Sequence, residues 1–166
     1  SCAPARTRST SSADPAKVTS VSSILELLAV LSAALFAGAA LYINVVEHPA
    51  RMGLETRVAA LQWAPSYKRA TWLQAPLAVL SFLCGIGAWL LGAGVAWLVA
   101  AMLVGLVVPF TFIVIMPTNH KLLTPGRDLS SEETRALLVR WGALHAVRTV
   151  LSLAGTLLFV WLLFEA

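Results

Sequence analysis

An all-α fold, an integral membrane four-helix bundle, is what this sequence predicts, and three observations predict it. The chain has 166 residues, of which 58% are hydrophobic and only 12% charged, with a mean hydropathy of +0.80. That charged share is about half the usual value for a soluble domain, and a soluble core of this size has no room for so much apolar surface. The apolar residues fall into four runs, about 24–46, 72–91, 96–116 and 143–164, each long enough to cross roughly 30 Å of hydrocarbon at about 1.5 Å per residue. The charged and histidine residues gather at the ends of those runs. The sequence pI of 9.6 does not signal nucleic-acid binding, because the basic residues flank apolar runs instead of forming a patch with interleaved aromatics. Cys2 and Cys84 form no C-x-x-C pair, which argues against a membrane thiol oxidoreductase, and Cys84 reads as a small core residue.

Residues 1–23 are rich in Ser, Thr and Ala and carry Arg6, Arg8 and Lys17 against Asp14. This composition does not fold alone; it reads equally as a disordered tail and as the remnant of an organelle transit peptide. The four-span domain is expected over 24–166. In the first span, Glu26 is placed in the first turn, where a helix N-terminus favours an acid. Ala33, Ala34, Ala37 and Gly38 give small-x-x-x-small spacing for close helix packing. Asn44 and His48 are four apart and share a face if the helix continues, although Pro49 opposes regular helix beyond that point.

Ala50 to Thr71 is amphipathic and reads as a short interfacial helix ended by Pro65, with Tyr67, Lys68, Arg69 and Trp72 as anchors for the second span. Pro76 frees the carbonyl of Trp72 and permits a kink. Gly92-Ala93-Gly94 allows only a tight turn, so the third span runs back beside the second. Within that third span Pro109 follows Gly105 by four residues, a spacing that eases a bend and turns Thr111 and the Asn119-His120 end towards the bundle axis. After the loop at Pro125-Gly126, Ser130 and Glu133 form a capping-box signature. A helix then runs to about Phe164, its first half standing out of the membrane. Trp141, His145, Arg148 and Ser152 recur on one of its faces. The two long loops hold most of the basic residues, which places them on the cytoplasmic, matrix or stromal side.

On this topology His48, His120 and His145 come to one side of one membrane. Three readings stand: hydrogen-bonding residues without chemistry, ligands of a metal, or a general base beside an oxidisable phenol. Arg148, at the edge of the fourth span, needs a partner, since a lipid-facing charge near the bilayer centre costs about 2.5–3.5 kcal/mol. Glu47 is one candidate partner and an anionic or phenolic ligand oxygen is the other.

The segments Val46-Glu47-His48-Pro49-Ala50, Tyr67-Lys68-Arg69-Ala70 with Gln74-Ala75-Pro76, Pro109 through Pro117-Thr118-Asn119-His120, and Trp141 through His145 to Arg148 resemble the anthrone oxygenase-like family of small four-helix membrane proteins. The resemblance covers about residues 24–164. It implies oxidation of polyketide anthrones to anthraquinones by molecular oxygen without a conventional flavin or haem. It carries over His48, Asn119, His120, Trp141, His145 and Arg148 as site positions. On this expectation a flat phenol enters from the lipid and His48 or His145 removes a proton. Arg148 and Asn119 stabilise the enolate, while Gln74, His120 and the indoles of Trp72 or Trp141 contact the substrate. Two rivals from other classes remain: an accessory subunit of a larger mitochondrial or plastid complex, and a quinone or pigment site without catalysis. Lipid is an expected partner and nucleic acid is not; no cofactor is assigned.

Overall fold

The computed structural model describes residues 15–165, with side chains from residue 20 onward. Cys2, Arg6, Arg8 and most of the transit-like tail lie outside the described residues. Helix α1, Pro15–Tyr42, passes through a π-helical turn at Ile43–Glu47 into the short α2, His48–Met52. Helix α3 is Thr56–Ala88 and leads into a turn over Trp89–Ala93. Then come α4, Val95–Gly105, and α5, Val107–Phe110, followed by a second π-helical turn at Thr111–Ile115, and α6, Met116–Leu122. Helix α7, Glu132–Glu165, closes the chain.

Four rods, Ser20–Met52, Thr56–Ala93, Val95–Leu122 and Glu132–Glu165, are long and apolar enough to span a membrane, and no strand occurs among the described residues. The protein is an all-α integral membrane four-helix bundle. The first rod packs against α3 and α7, and α4 packs against the same two helices, so the rods occupy the corners of a square. Gly92 and Gly94, at φ 98° and 100°, make the tight turn between the second and third rods, in a region that side-chain-bearing residues avoid.

Three core layers stack along the bundle. Near the Gly92 turn are Ala33, Cys84, Trp97 and Phe159. The middle layer holds Phe36, Ala40, Ala78 and Val107. At the loop end are Ile43, Trp63, Ile115 and Trp141. Small residues let the rods close up: a Cβ on Gly85 would lie 2.8 Å from Ala101 and from Phe159, and one on Gly155 would lie 2.7 Å from Val104. In α1 the buried small face is Ala29, Ala33, Ala37 and Ala40, with Ala34 and Gly38 turned outward.

Several local boundaries differ from those the sequence predicts. α1 begins at Pro15, a favourable first helical residue, so Glu26 lies well inside the helix, where it accepts a hydrogen bond from Ser22 Oγ at 2.8 Å. Pro65 does not end a separate helix, because α3 runs through both Pro65 and Pro76. Those prolines and the residues four before them, Leu61 and Trp72, all lie towards the outer face. The freed carbonyls thus fall on the outside, while the inner face stays packed on α1. The N-cap of α7 is Ser131, not Ser130: Ser131 Oγ accepts the Thr134 amide at 3.2 Å, and Asp128 Oδ1 takes the Ser130 amide at 2.9 Å. Near Pro109 the helix is interrupted at Leu106, between α4 and α5, where Pro109 has no N–H to donate to the Gly105 carbonyl. There Gly105 lies against the ring of Phe82 so closely that a Cβ would sit 2.4 Å from it.

Candidate active site

Between the middle and loop-end layers the bundle buries an unusual number of polar groups. Asn44, released from regular helix by the π-helical turn, bridges two rods. Its Nδ2 donates to the Gly142 carbonyl at 3.1 Å. A carbonyl only accepts, so this bond fixes which end of the amide is oxygen. Oδ1 must then accept, and it takes Thr149 Oγ1 at 2.7 Å and His145 Nδ1 at 2.6 Å. The His145 proton therefore resides on Nδ1, and the lone pair on Nε2 is left for a base. His145 itself is only 2% exposed.

His48 is arranged in the opposite sense. Its Nδ1 lies 3.3 Å from Arg51 Nη1, and a guanidinium only donates, so Nδ1 is the acceptor and the proton sits on Nε2. The Nε2 edge faces Gly142, where an added Cβ would approach it to 2.4 Å. Its lone pair is spent. Trp141 separates the two imidazoles, with ring centroids 5.3 Å from His48 and 4.9 Å from His145.

Arg51, 3% exposed, anchors the mouth of the bundle. It donates to Glu47, to Gln62 and to Ser66 Oγ, and Ser66 Oγ in turn donates to Glu47. The side chain also lies 6.0 Å over Trp141. Glu47 is thereby committed to Arg51. Arg148 is left with Gln74 Oε1 at 3.0 Å and the face of Phe36 at 5.4 Å. Among the described residues no carboxylate pairs with it and its Nε has no partner. The Glu47–Arg148 pair considered from the sequence is not formed, because Arg51 reaches Glu47 from one turn away on the same rod.

Arg148 forms part of the wall of a cavity of about 150 Å³ between the rods. Phe36, Tyr67, Ala78, Val107, Phe112 and Met116 supply most of the remaining wall. Thr71, Ala75 and Phe112 at its rim are exposed on the outer face of the bundle, so the cavity faces the hydrocarbon. The site is thus a small apolar chamber with a guanidinium set in its wall, and the two imidazoles stand behind it on the loop side.

The anthrone oxygenase family model matches residues 63–158, more than half of the chain. The chain belongs to the anthrone oxygenase family. Among curated relatives it is 33% identical to the anthrone oxygenase ptaC of Pestalotiopsis fici over 115 residues, covering 60% of this chain and 80% of that protein. It is 30% identical to gedH of Aspergillus terreus over 131 residues, 72% of this chain and 86% of the relative. With tpcL of Aspergillus fumigatus it shares 40% identity over 70 residues, 40% of this chain and less than half, 44%, of that protein. No solved structure matches.

In this anthrone oxygenase family member the structure brings together His48, Trp141 and His145, and places Gln74 on Arg148. Asn119 is fully buried on the inner face of α6, one turn from Ile115 and from Leu122, and neither of its amide atoms has a partner among the described residues. The indole nitrogens of Trp63 and Trp141 and the amide nitrogen of Gln74 share that condition. Buried donors and acceptors left this way mark a place where water or a ligand completes the bonding. His120 and Trp72 are not part of this cluster: both are exposed, Trp72 at 84%, and Thr124 Oγ1 bonds the His120 backbone carbonyl. Among the described residues no three His, Cys, Asp or Glu side chains gather as a ligand set for a metal ion. Sequence reasoning missed Tyr67 and Phe36 as cavity residues and Arg51 as a buried one. The i,i+4 spacing of Glu47 and Arg51 was the available signal for the last.

Proposed function

We propose that the protein oxidises a flat hydroxylated anthrone with molecular oxygen inside the membrane. The observation that carries this reading is Arg148, a guanidinium on the wall of an apolar cavity with no carboxylate partner among the described residues. An unneutralised cation in hydrocarbon favours an anion, and the enolate of an anthrone is a planar apolar anion of that kind. Family membership supports the same substrate class.

The substrate enters from the lipid past Thr71 and Phe112. Arg148 holds its carbonyl oxygen and stabilises the negative charge that develops when a methylene proton leaves. His145 Nε2 takes that proton. It lies one turn from Arg148 along α7 and outside the cavity lining, so the transfer runs through one bridging water. His48, with its lone pair committed to Arg51, holds Trp141 and does not act as a base. The carbanion gives electrons to dioxygen and forms a C–O bond, and the resulting peroxide anion takes up the proton to become a hydroperoxide. Loss of water then leaves a second ring carbonyl, so that CH2 plus O2 becomes C=O plus H2O. The basic loops lie on the cytoplasmic, matrix or stromal side and the Gly92 turn on the other. Neither the fold nor the family supports an accessory subunit or an organelle location in particular.

The test is oxygen uptake with 1,8-dihydroxyanthrone, corrected for spontaneous oxidation. His145→Asn keeps a donor where Nδ1 stands and removes Nε2. It should fold normally and lose about 100-fold in kcat. Arg148→Met should lose at least as much in kcat/KM. Wild-type turnover in both variants would sink the reading.

A further inference from the structure

We propose that Tyr67 is a further catalytic residue, donating its phenolic hydrogen to the same substrate oxygen that Arg148 holds; this rests on the oxygenase reading given above. Four residues with polar side chains line the cavity: Tyr67, Thr71, Thr111 and Arg148. The two threonines are spent within their own helices. Thr71 Oγ1 donates to the Tyr67 carbonyl at 2.9 Å, and Thr111 Oγ1 donates to the Val107 carbonyl at 2.7 Å. Among the described residues Tyr67 Oη bonds only the thioether of Met116, at 3.9 Å. Sulfur is a weak acceptor, so a strong O–H donor is left unspent in the wall of the same cavity as the guanidinium.

The Tyr67 ring is held rigidly. It stacks on Trp63 with centroids 5.1 Å apart and planes 4° from parallel, and Trp63 meets Trp141 edge-on at 5.8 Å. Trp63 and Trp141 are both almost fully buried. Donors held by such packing need no reorganisation as charge develops, which is the condition under which a donor lowers a barrier. The remaining wall, including Phe36, Ala78, Val107 and Phe112, offers no hydrogen bond. A hydroxyl flanking the held carbonyl lies along the same edge of a planar ring system and fits this pair of donors.

Tyr67→Phe keeps the ring and its stacking and removes only the donor. With 1,8-dihydroxyanthrone we expect kcat to fall about 30-fold while KM changes less than threefold. A merely structural role for Tyr67 would leave kcat within twofold or lower kcat and raise KM together with a drop in Tm, and either result overturns the assignment. Binding of the stable product, 1,8-dihydroxyanthraquinone, read by quenching of tryptophan fluorescence, separates this proposal from the oxygenase reading. If the wild-type protein consumes no oxygen, the oxygenase reading fails. The Tyr67 donor is still supported if Tyr67→Phe binds the dye at least fivefold more weakly, and overturned if the affinities agree. A wild type that neither turns over nor binds overturns both.

Discussion

Gly142 illustrates how tightly single residues set the polar centre. Its carbonyl orients Asn44, and the missing side chain leaves room for the His48 ring. A methyl there would meet His48 Nε2 at 2.4 Å, so the ring must move, taking with it the contacts to Arg51 and Trp141. Gly142→Ala should therefore destabilise the protein by about 1–3 kcal/mol, the usual cost of overpacking, seen as a lower Tm in detergent. Part of this centre is legible in the sequence. The spacing of Trp141, His145 and Arg148 puts them on one helix face, and all three do point inward or line the cavity. Their partners are not legible there. Glu47 lies within reach of more than one arginine on any four-span topology, and only the packed structure shows that Arg51 holds it while Arg148 turns to Gln74.

Among the elements, the two π-helical turns share a sequence context. Ile43–Glu47 lies just before His48-Pro49, and Thr111–Ile115 lies just before Met116-Pro117. A proline inside a helix loses one hydrogen bond and presses on the carbonyl four residues back. Widening the preceding turn relieves that pressure and shifts the register of the helix beyond it, which is how such turns come to serve sites. By sequence Pro49 opposes further regular helix; in the structure it opens α2 and carries His48 and Arg51 into the bundle. The α7 cap is a second case of local ambiguity. Ser130 and Ser131 are adjacent, both followed by plausible partners, and the choice falls to Ser131 because Asp128 claims the Ser130 amide. Ser131→Ala should cost about 1 kcal/mol and Ser130→Ala almost nothing, measured as denaturation midpoints side by side.

For the molecule as a whole, the rods alternate in direction, so the loop at Asp128 and the turn at Ala93 lie at opposite ends of the bundle. The proposed orientation puts Asp128 on the cytoplasmic, matrix or stromal face. In a Cys2→Ser background, where the remaining Cys84 is buried, Asp128→Cys and Ala93→Cys should react with an impermeant maleimide from opposite sides of sealed vesicles. Labelling of both from one side would remove the four-span topology. At this scale the square of rods matters because it leaves the cavity between them open to lipid at Thr71 and Phe112 while the polar centre behind it is closed.

Span number, all-helical class and the convergence of polar residues at one end come from the linear order of residues. Hydrocarbon demands long apolar helical runs, and runs are counted along the chain without knowing what touches what. Which buried group bonds which is a different question. Each arginine, imidazole and amide has several partners within reach, and the selection is made by rod packing, by a glycine that admits a ring, and by a widened turn that resets a register. The tautomers of His48 and His145, the commitment of Glu47 and the apolar chamber around Arg148 exist only once the rods have packed, because they depend on atoms held in place by more than one of them.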